Sequence, residues 1–216
     1  MPLIYYLVTE VLLAYLIGSI PTAVWVGKLF YKVDVREHGS GNAGATNVIR
    51  VLGYKAGIPV MLFDIFKGWF AVQLVRIFPH SSFTPDTMTY VMIALAVAVF
   101  LGHVFPLFAG FRGGKGVGTL AGVGIALYPF ALLVVLGIFI IVLAITRYVS
   151  LSSLTGSLAF PFIVIFLFGE SNPGLIILSV LVAILIPLTH RKNIGRLIKG
   201  EENKFIFRKS KNQQKE

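Results

Sequence analysis

The sequence predicts an all-α, polytopic membrane protein with seven transmembrane helices. Of its 216 residues, 56% are hydrophobic and 13% are charged, whereas soluble domains carry about 25% charged residues. Seven apolar runs follow one another, and the lysines and arginines concentrate in every second connection between them. We therefore expect a single membrane domain over residues 1–202 and a basic tail over residues 203–216.

The first run, residues 3–27, contains Glu10 but no lysine or arginine. A cleavable signal peptide begins with a basic segment, so we expect this run to be retained as the first helix. Crossing a hydrocarbon core takes about 20 apolar residues. The other runs near this length are residues 56–78, 88–109, 129–147, 151–168 and 173–189.

A shorter apolar run, residues 117–127, stops at Tyr128 and Pro129. Proline cannot continue a helix without losing a backbone hydrogen bond. The run is therefore either a seventh, short span or part of one long helix. A single helix from Val117 to Arg147 would be about 45 Å long, against a hydrocarbon core of about 30 Å.

The distribution of basic residues decides this count. Seven spans with the N-terminus outside place 17 of the 19 lysines and arginines on the inner side, as the positive-inside rule requires. Six spans would move the nine basic residues between Arg191 and Lys215 to the outside. We therefore predict a cytoplasmic C-terminus, with the loops 28–55, 110–116 and 148–152 on the same cytoplasmic face.

Charge and cysteine content limit the possible partners. The net charge is +10 and there is no cysteine, which excludes structural disulfides, thiolate zinc sites and a cysteine nucleophile. In so apolar a chain, the positive charge indicates anionic lipid headgroups and anionic substrates, and we expect no nucleic-acid partner. The sequence does not indicate an oligomeric state.

A polar stretch, GSGNAGATNVIR, covers residues 39–50 between two apolar runs. Its glycines allow left-handed backbone and close approach to a ligand, and Arg50 can hold phosphate through two parallel hydrogen bonds. The GxGxxG spacing indicates a dinucleotide only after a β-strand, and here it follows an apolar helix. The stretch is either an anion-binding loop or a tight turn in which Ser40 or Asn42 caps a helix.

A second polar stretch, GHVFPLFAGFRGGKGVGT, covers residues 102–119. Gly113, Gly114 and Gly116 surround Lys115, but a nucleotide P-loop would need a further glycine, a serine or threonine after the lysine, and a preceding strand. Free backbone N–H groups, a lysine and a following helix N-terminus can still bind an anion. The alternative is a flexible reversal whose lysine reaches the membrane interface.

The third stretch, HRKNIGRLIKGEE, covers residues 190–202 at the inner end of the last span. On a helix, His190 and Asn193 lie on one face and can point together into a site. A lone histidine at a membrane boundary can also be only a hydrogen-bonded anchor, which is the role we expect for His103 beside the glycine-rich loop.

Two charged pairs accompany these stretches. Asp64 and Lys67 are three residues apart in the second span, where charges are costly unless they are paired or face a polar cavity. They are either a structural pair or part of a pocket wall. Asp34 and Arg36 are expected to form an ion pair at the interface.

The three stretches together resemble the bacterial acyl-phosphate:glycerol-3-phosphate acyltransferases, the PlsY family. The resemblance runs from the GSIP segment at residues 18–21 to Glu202, and residues 203–216 lie beyond it. Arg112 stands where the family pattern has lysine, and Gly118 stands where it has alanine. Neither difference removes a donor on which the interpretation depends.

This resemblance implies an enzyme of the bacterial inner membrane with its active site facing the cytoplasm. It implies transfer of a fatty acyl group from acyl phosphate to the 1-hydroxyl of glycerol 3-phosphate, which gives lysophosphatidic acid and phosphate. The expected catalytic residues are His190, Asn193 and Lys115. The residues expected to bind substrate are Ser40, Asn42, Thr46, Asn47, Arg50, Gly113, Gly114, Gly116 and Ser153, and Ser150 and Ser152 lie close to the last of these.

The chemistry requires two anion sites, because both substrates carry phosphate. We assign Arg50 with Ser40 to glycerol 3-phosphate, and Lys115 with the backbone of residues 113–116 to acyl phosphate. The base is either His190 or a phosphate oxygen of the acceptor. We expect no cofactor and no metal site, because the sequence has no carboxylate cluster for Mg²⁺.

Two other functions fit parts of the pattern. A transporter of phosphorylated metabolites could use the same basic loops, but its halves often show matching broken helices, and no such repeat is present here. A metal-dependent lipid phosphotransferase would need the missing carboxylate cluster.

Overall fold

The computed structural model describes residues 3–78 and 83–205, and the regular elements in this part of the chain are all helices. Three 3₁₀ turns and a π-helical turn, Ile163–Leu167, which continues α8, complete the described elements. The ten α-helices are α1 (Leu3–Gly18), α2 (Thr22–Tyr31), α3 (Ala45–Leu52), α4 (Tyr54–Gln73), α5 (Pro85–Val104), α6 (Val117–Leu127), α7 (Pro129–Thr146), α8 (Val149–Phe162), α9 (Pro173–Thr189) and α10 (Arg191–Ile198).

The apolar helices correspond to the seven predicted runs. Four of them, α4, α5, α7 and α8 with their short extensions, are long and apolar enough to cross a membrane. The pairs α1–α2 and α9–α10 reach that length only together, with bends of 42° and 65°, and α6 is a shorter apolar helix. The all-α membrane class is confirmed, while the count of seven crossings and the outward N-terminus stay predictions.

The first predicted run is not one continuous helix. Helix α1 ends at Gly18 and α2 begins at Thr22, because Pro21 lacks a backbone N–H and disfavours helical geometry in the residue before it. The break exposes the Ile20 carbonyl, which accepts a hydrogen bond of 3.0 Å from Lys67 Nζ. Lys67 also pairs with Asp64 at 2.8 Å, so these two charges tie α4 to the break.

The expected interruption at Pro129 is confirmed. Helix α6 ends at Leu127, Tyr128 has non-helical geometry (φ −139°, ψ 52°), and Pro129 begins α7. Helix α6 packs closely on α4, because a Cβ on Gly68 would collide with the Thr119 carbonyl and one on Gly122 with the Ile65 carbonyl. This close packing fixes the start of α6, where Lys115 lies.

The main core lies between α1, α4, α5, α6, α8 and α9, with Val72, Leu95 and Val99 fully buried. Helix α7 is peripheral, since only 6% of its 18 residues are buried. It packs mainly on α8. Its inner face closes one side of a cavity that lies between α6, α8 and α9.

Candidate active site

A cavity of about 360 Å³ lies among the predicted site residues, within the size range of ligand sites. All of those residues line it except Gly113 and Gly114. The polar lining is concentrated at one end of the cavity and comes from the 40–50 segment, the start of α6, the start of α8, and the bend between α9 and α10. The polar residues that line this end are Ser40, Asn42, Thr46, Asn47, Arg50, Lys115, Ser150, Ser152, Ser153, His190, Asn193 and Glu202.

The loop before α3 is held by the Asn47 side chain. Its Oδ1 accepts from the Ser40 N–H at 2.8 Å, and its Nδ2 donates to the carbonyls of Val35 and His38 at 2.7 and 3.1 Å. Asn47 is 1% exposed, and its amide is engaged with the loop backbone. It is therefore not available to bind substrate, contrary to the expectation from the sequence. The N-cap of α3 is Gly44, with no side-chain cap bond, so the alternative of Ser40 or Asn42 as the cap is wrong.

Arg36, three residues before Gly39, makes two polar contacts beside this loop. Arg36 and Asp34 pair at 2.8 Å, as predicted, and the Arg36 guanidinium holds the pKa of Asp34 well below its usual value. Arg36 Nη1 also donates to the Ala109 carbonyl at 2.9 Å. This contact ties the segment before the glycine-rich loop of residues 39–44 to the connection between α5 and α6.

Arg50 lies on α3 and is partly buried at the polar end of the cavity. Burial lowers its pKa, and Glu202 opposes this effect. A guanidinium nevertheless keeps its charge at any pH that proteins tolerate. Arg50 therefore supplies a permanent cation with a planar set of donors.

Lys115 is the second cation of the cavity. Its Nζ donates to Asn193 Oδ1 at 2.5 Å, and its carbonyl accepts from Thr189 Oγ1 at 3.1 Å. Burial lowers the pKa of Lys115 to about 8; Glu202 opposes that shift, whereas Arg196 and Arg50 reinforce it. An incoming anion would raise this pKa again, because a nearby negative group favours the protonated ammonium.

Two of the glycines around Lys115 do not supply the free backbone N–H groups that were expected to bind an anion. The N–H groups of Gly113 and Gly114 donate to the carbonyls of Val104 and His103, both at 3.2 Å, and are not available to a ligand. A Cβ on Gly114 would collide with the His103 ring, so His103 supports this loop as expected. Gly116 does line the cavity, and its φ of +83° suits glycine.

His190 lies at the bend where α9 ends and α10 begins. Its Nδ1 is 2.8 Å from the Ile186 carbonyl, and a carbonyl can only accept, so the geometry assigns the ring proton to Nδ1. Nε2 is then the nitrogen that can accept a hydrogen bond or a proton. His190 is 2% exposed and lines the cavity, so the predicted joint placement of His190 and Asn193 is observed.

Glu202 is a site residue for which the sequence analysis assigned no role. Its Oε1 accepts from Asn193 Nδ2 at 2.7 Å and from Ser150 Oγ at 3.0 Å, and its Oε2 accepts from Arg196 Nε at 2.7 Å. Burial opposes ionisation, but the hydrogen bonds from Arg196, Asn193 and Ser150 outweigh it and lower the pKa of Glu202. Asn193 therefore lies between a cation and a carboxylate, which fixes the orientation of its amide.

The serines at the start of α8 all line the cavity. Ser152 and Ser153 donate to the carbonyls four residues earlier, at 2.9 and 3.0 Å, and Ser150 donates to Glu202. Their hydroxyl oxygens can still accept hydrogen bonds. The structure therefore places Ser150 and Ser152 beside Ser153 without distinguishing one of them.

The described part of the chain offers no cluster of metal ligands. Residues 3–78 and 83–205 contain no group of three or more histidine, aspartate or glutamate residues placed to hold a metal ion. The expectation that activity needs no metal stays a prediction. Asp64, in contrast, lines the cavity and is also paired with Lys67, so both of its expected roles apply.

Away from the polar end the cavity becomes apolar. Side chains such as Leu120, Leu136, Phe139 and Val182 line it between α6, α7, α8 and α9. A cationic end joined to an apolar pocket fits an amphiphilic molecule with an anionic head.

Proteins of known family match this chain over nearly its full length. A family model described as glycerol-3-phosphate acyltransferase matches residues 8–200. Proteins of that name from Chlorobium luteolum and Chlorobium phaeovibrioides are 42% and 44% identical to this chain, respectively. Each match covers 91% of this chain and 95% of the relative.

Two solved structures are similar in fold. The first is a crystal structure of PlsY, an integral membrane glycerol 3-phosphate acyltransferase, in its glycerol 3-phosphate form. It is 36% identical, has a TM-score of 0.83, and matches over 93% of this chain and 96% of that one. The lysophosphatidic acid form of PlsY is 34% identical with a TM-score of 0.80, over 93% of this chain and 95% of that one.

Proposed function

Because the chain belongs to the glycerol-3-phosphate acyltransferase family and is thus a membrane acyltransferase, we propose that its donor is an acyl phosphate and its acceptor the 1-hydroxyl of glycerol 3-phosphate. The observation that carries this proposal is that Arg50 and Lys115 line one cavity together with an apolar pocket. Two phosphate-bearing substrates need two cations, and a fatty acyl chain needs the apolar part.

The reaction is a direct transfer. The hydroxyl oxygen of glycerol 3-phosphate attacks the acyl carbonyl carbon and forms the new ester bond. The bond between that carbon and the phosphate oxygen breaks, and its electron pair leaves with phosphate. The hydroxyl proton goes to a base, so the products are lysophosphatidic acid and phosphate.

The arrangement of hydroxyl groups supports transfer without an acyl-enzyme. A serine nucleophile needs a base within hydrogen-bond reach. Ser152 and Ser153 donate to backbone carbonyls, which are not bases, and Ser150 donates to Glu202, whose lowered pKa makes it a weak base. Acyl phosphate is already an activated mixed anhydride, so it does not require such a nucleophile.

The two phosphates are assigned by position along the cavity. Lys115 lies two residues before the start of α6, which lines the apolar pocket from Val117 to Gly124, so Lys115 binds the phosphate of the acyl donor. Arg50, on α3 beside the Ser40 loop, binds the phosphate of glycerol 3-phosphate. Holding the two reactants side by side supplies proximity and stabilises the developing charge.

The remaining polar groups orient the acceptor and take the proton. Asn193, fixed by Lys115 and Glu202, hydrogen-bonds the acceptor or the developing oxyanion. Nε2 of His190 accepts the hydroxyl proton directly, or orients the hydroxyl while a phosphate oxygen takes it. A His190→Gln variant separates these alternatives, because it abolishes activity only in the first.

The arrangement also supports seven crossings with the site on the cytoplasmic side of a bacterial inner membrane. Arg50, Lys115, Ser150 and His190 line one cavity, as expected if the helix pairs α4–α5, α6–α7 and α8–α9 each leave this face and return. With α1, which precedes the 40–50 segment, this makes seven. The basic residues on these connections then face the cytoplasm.

Donor identity is tested with purified protein in detergent. Glycerol 3-phosphate is supplied with palmitoyl phosphate or with palmitoyl-CoA in separate reactions, and lysophosphatidic acid is measured by mass spectrometry. We expect product with palmitoyl phosphate, and a much lower rate in a Lys115→Ala variant of matched thermal stability. Product with acyl-CoA alone would overturn the donor assignment, and no product with either donor would overturn the enzyme function.

A further inference from the structure

Side chains from α8, α9 and the junction between α6 and α7 close the deep end of the cavity. On α8, the lining residue farthest from the polar end is Phe160. On α9, which runs in the opposite direction, it is Leu178. Tyr128, directly after α6, closes the third side. These side chains are 7%, 2% and 6% exposed, respectively. All three belong to the main core, so the cavity stops against packed protein.

This floor is held in place by specific contacts. The Tyr128 hydroxyl donates to the Leu175 carbonyl at 2.7 Å, and the rings of Tyr128 and Phe160 meet edge to face with centroids 5.0 Å apart. Buried Val164 belongs to the same core cluster. A ring fixed by a hydrogen bond on one side and an aromatic contact on the other does not move aside at low cost.

We propose that Tyr128 and Phe160 form a fixed floor that sets the longest acyl chain the cavity accepts in extended form. The inference rests on the proposed function and adds the donor's chain length to it. From Ser150 to Phe160, ten helical rises correspond to about 15 Å. An extended hydrocarbon chain advances about 1.3 Å per bond, which gives roughly 12 bonds before it meets the floor, so a longer chain such as palmitoyl binds in a bent form.

Gly124 offers a way to raise the floor without disturbing the backbone. It lines the cavity about one turn before Tyr128, and a Cβ there would lie 3.2 Å from Leu132 Cδ1, the end of a flexible side chain. Gly124→Ala therefore adds a methyl group to the deep end. The matched control is Gly137→Ala on α7, where a Cβ would meet nothing within 4 Å.

Phe160 offers the opposite change. Phe160→Leu removes part of a ring that borders the deep end and deepens the pocket. The matched control on the same helix is Phe162→Leu, because Phe162 is 64% exposed and lies outside the cavity lining. The pair applies one substitution to two faces of α8.

The test measures kcat/KM for saturated acyl phosphates from decanoyl to octadecanoyl with each purified variant. Gly124→Ala should lower the ratio of long-chain kcat/KM to decanoyl kcat/KM, whereas Phe160→Leu should raise this ratio. The expected change is about fourfold for each methylene of the acyl chain that loses or gains burial. Both control variants should keep the wild-type profile. Because each ratio is taken within one preparation, the fraction of folded protein does not affect it.

The outcomes separate this inference from the proposed function. Wild-type protein that is inactive with every acyl phosphate contradicts the proposed function itself. An active protein whose length profile is the same in Gly124→Ala as in Gly137→Ala overturns the floor, and shows that the end of the chain leaves the cavity before reaching it. If Phe160→Leu does not fold, the comparison of the two glycine variants decides alone.

Discussion

The charge of Lys115 should control how activity depends on pH. Burial is the main reason that its pKa falls from 10.5 to about 8. A cation with a lowered pKa is fully charged below that value and loses its charge as the pH rises through it. In the free enzyme, Lys115 is therefore half neutral near pH 8, whereas an ordinary lysine would still be charged.

The size of the effect follows from this pKa. Each pH unit above about 8 leaves tenfold less protonated enzyme, so kcat/KM for acyl phosphate should fall about tenfold per unit, or ~1.4 kcal/mol. A bound phosphate favours the ammonium form and raises its pKa again. At saturating donor, kcat should therefore stay nearly constant over the same range.

The assay compares wild type with Lys115→Arg between pH ~7 and ~9.5, with glycerol 3-phosphate saturating. The guanidinium does not deprotonate in this range, so the variant should lose the alkaline fall in kcat/KM while its activity is lower at every pH, because the Asn193 contact changes. An alkaline fall that persists unchanged in Lys115→Arg would show that another group titrates. A wild-type kcat/KM that is flat to the upper limit would refute the lowered pKa.

Three further outcomes are expected. Arg50→Lys should lower kcat/KM for glycerol 3-phosphate by roughly tenfold to over a hundredfold, because one charge-assisted contact contributes about 1.5–3 kcal/mol; an equal loss for the acyl donor would instead indicate one shared phosphate cluster. Activity should survive exhaustive EDTA treatment, and a loss that Mg²⁺ restores would contradict metal-free catalysis. In intact cells, single cysteines at Ser81 and Ser171 should react with an impermeant reagent and one at Ser210 should not; Ser81 and Ser210 lie outside the described residues, and labelling at Ser210 would refute the cytoplasmic C-terminus.

The helices were predictable where a single local property defines them. Apolar length identified the runs that become the long helices, and Pro129 marked the break between α6 and α7, because proline stops a helix regardless of tertiary context. The break before α2 was missed, although Pro21 supplies the same signal. Hydropathy continues across Ser19 and Ile20, so the run looked uninterrupted, and the contact from Lys67 that stabilises the break lies 47 residues away.

The residues that line the site were largely predictable, but their hydrogen-bond partners were not. Polar side chains in an apolar chain identified Arg50, Lys115 and Asn193. Glu202 stands nine residues after Asn193, which is not a neighbouring position on a helix. It reaches Asn193 because the chain turns after α10 at Gly200, where φ is +72°. A turn of this kind cannot be read from composition, so a carboxylate in a basic segment gave no specific signal.

The glycines around Lys115 show how a correct motif can have a different physical cause. The pattern suggested free N–H groups, yet those of Gly113 and Gly114 are satisfied by α5, and Gly114 is small because the His103 ring occupies the space beside it. Backbone donors for an anion are available in the first turn of α6, where Val117 and Gly118 line the cavity and their N–H groups have no partner within the helix. Packing against α5 thus fixes the backbone of Lys115 at this helix N-terminus. The site then combines a helix dipole, which does not titrate, with a lysine that does, so part of its attraction for phosphate should remain above pH 8 and part should be lost.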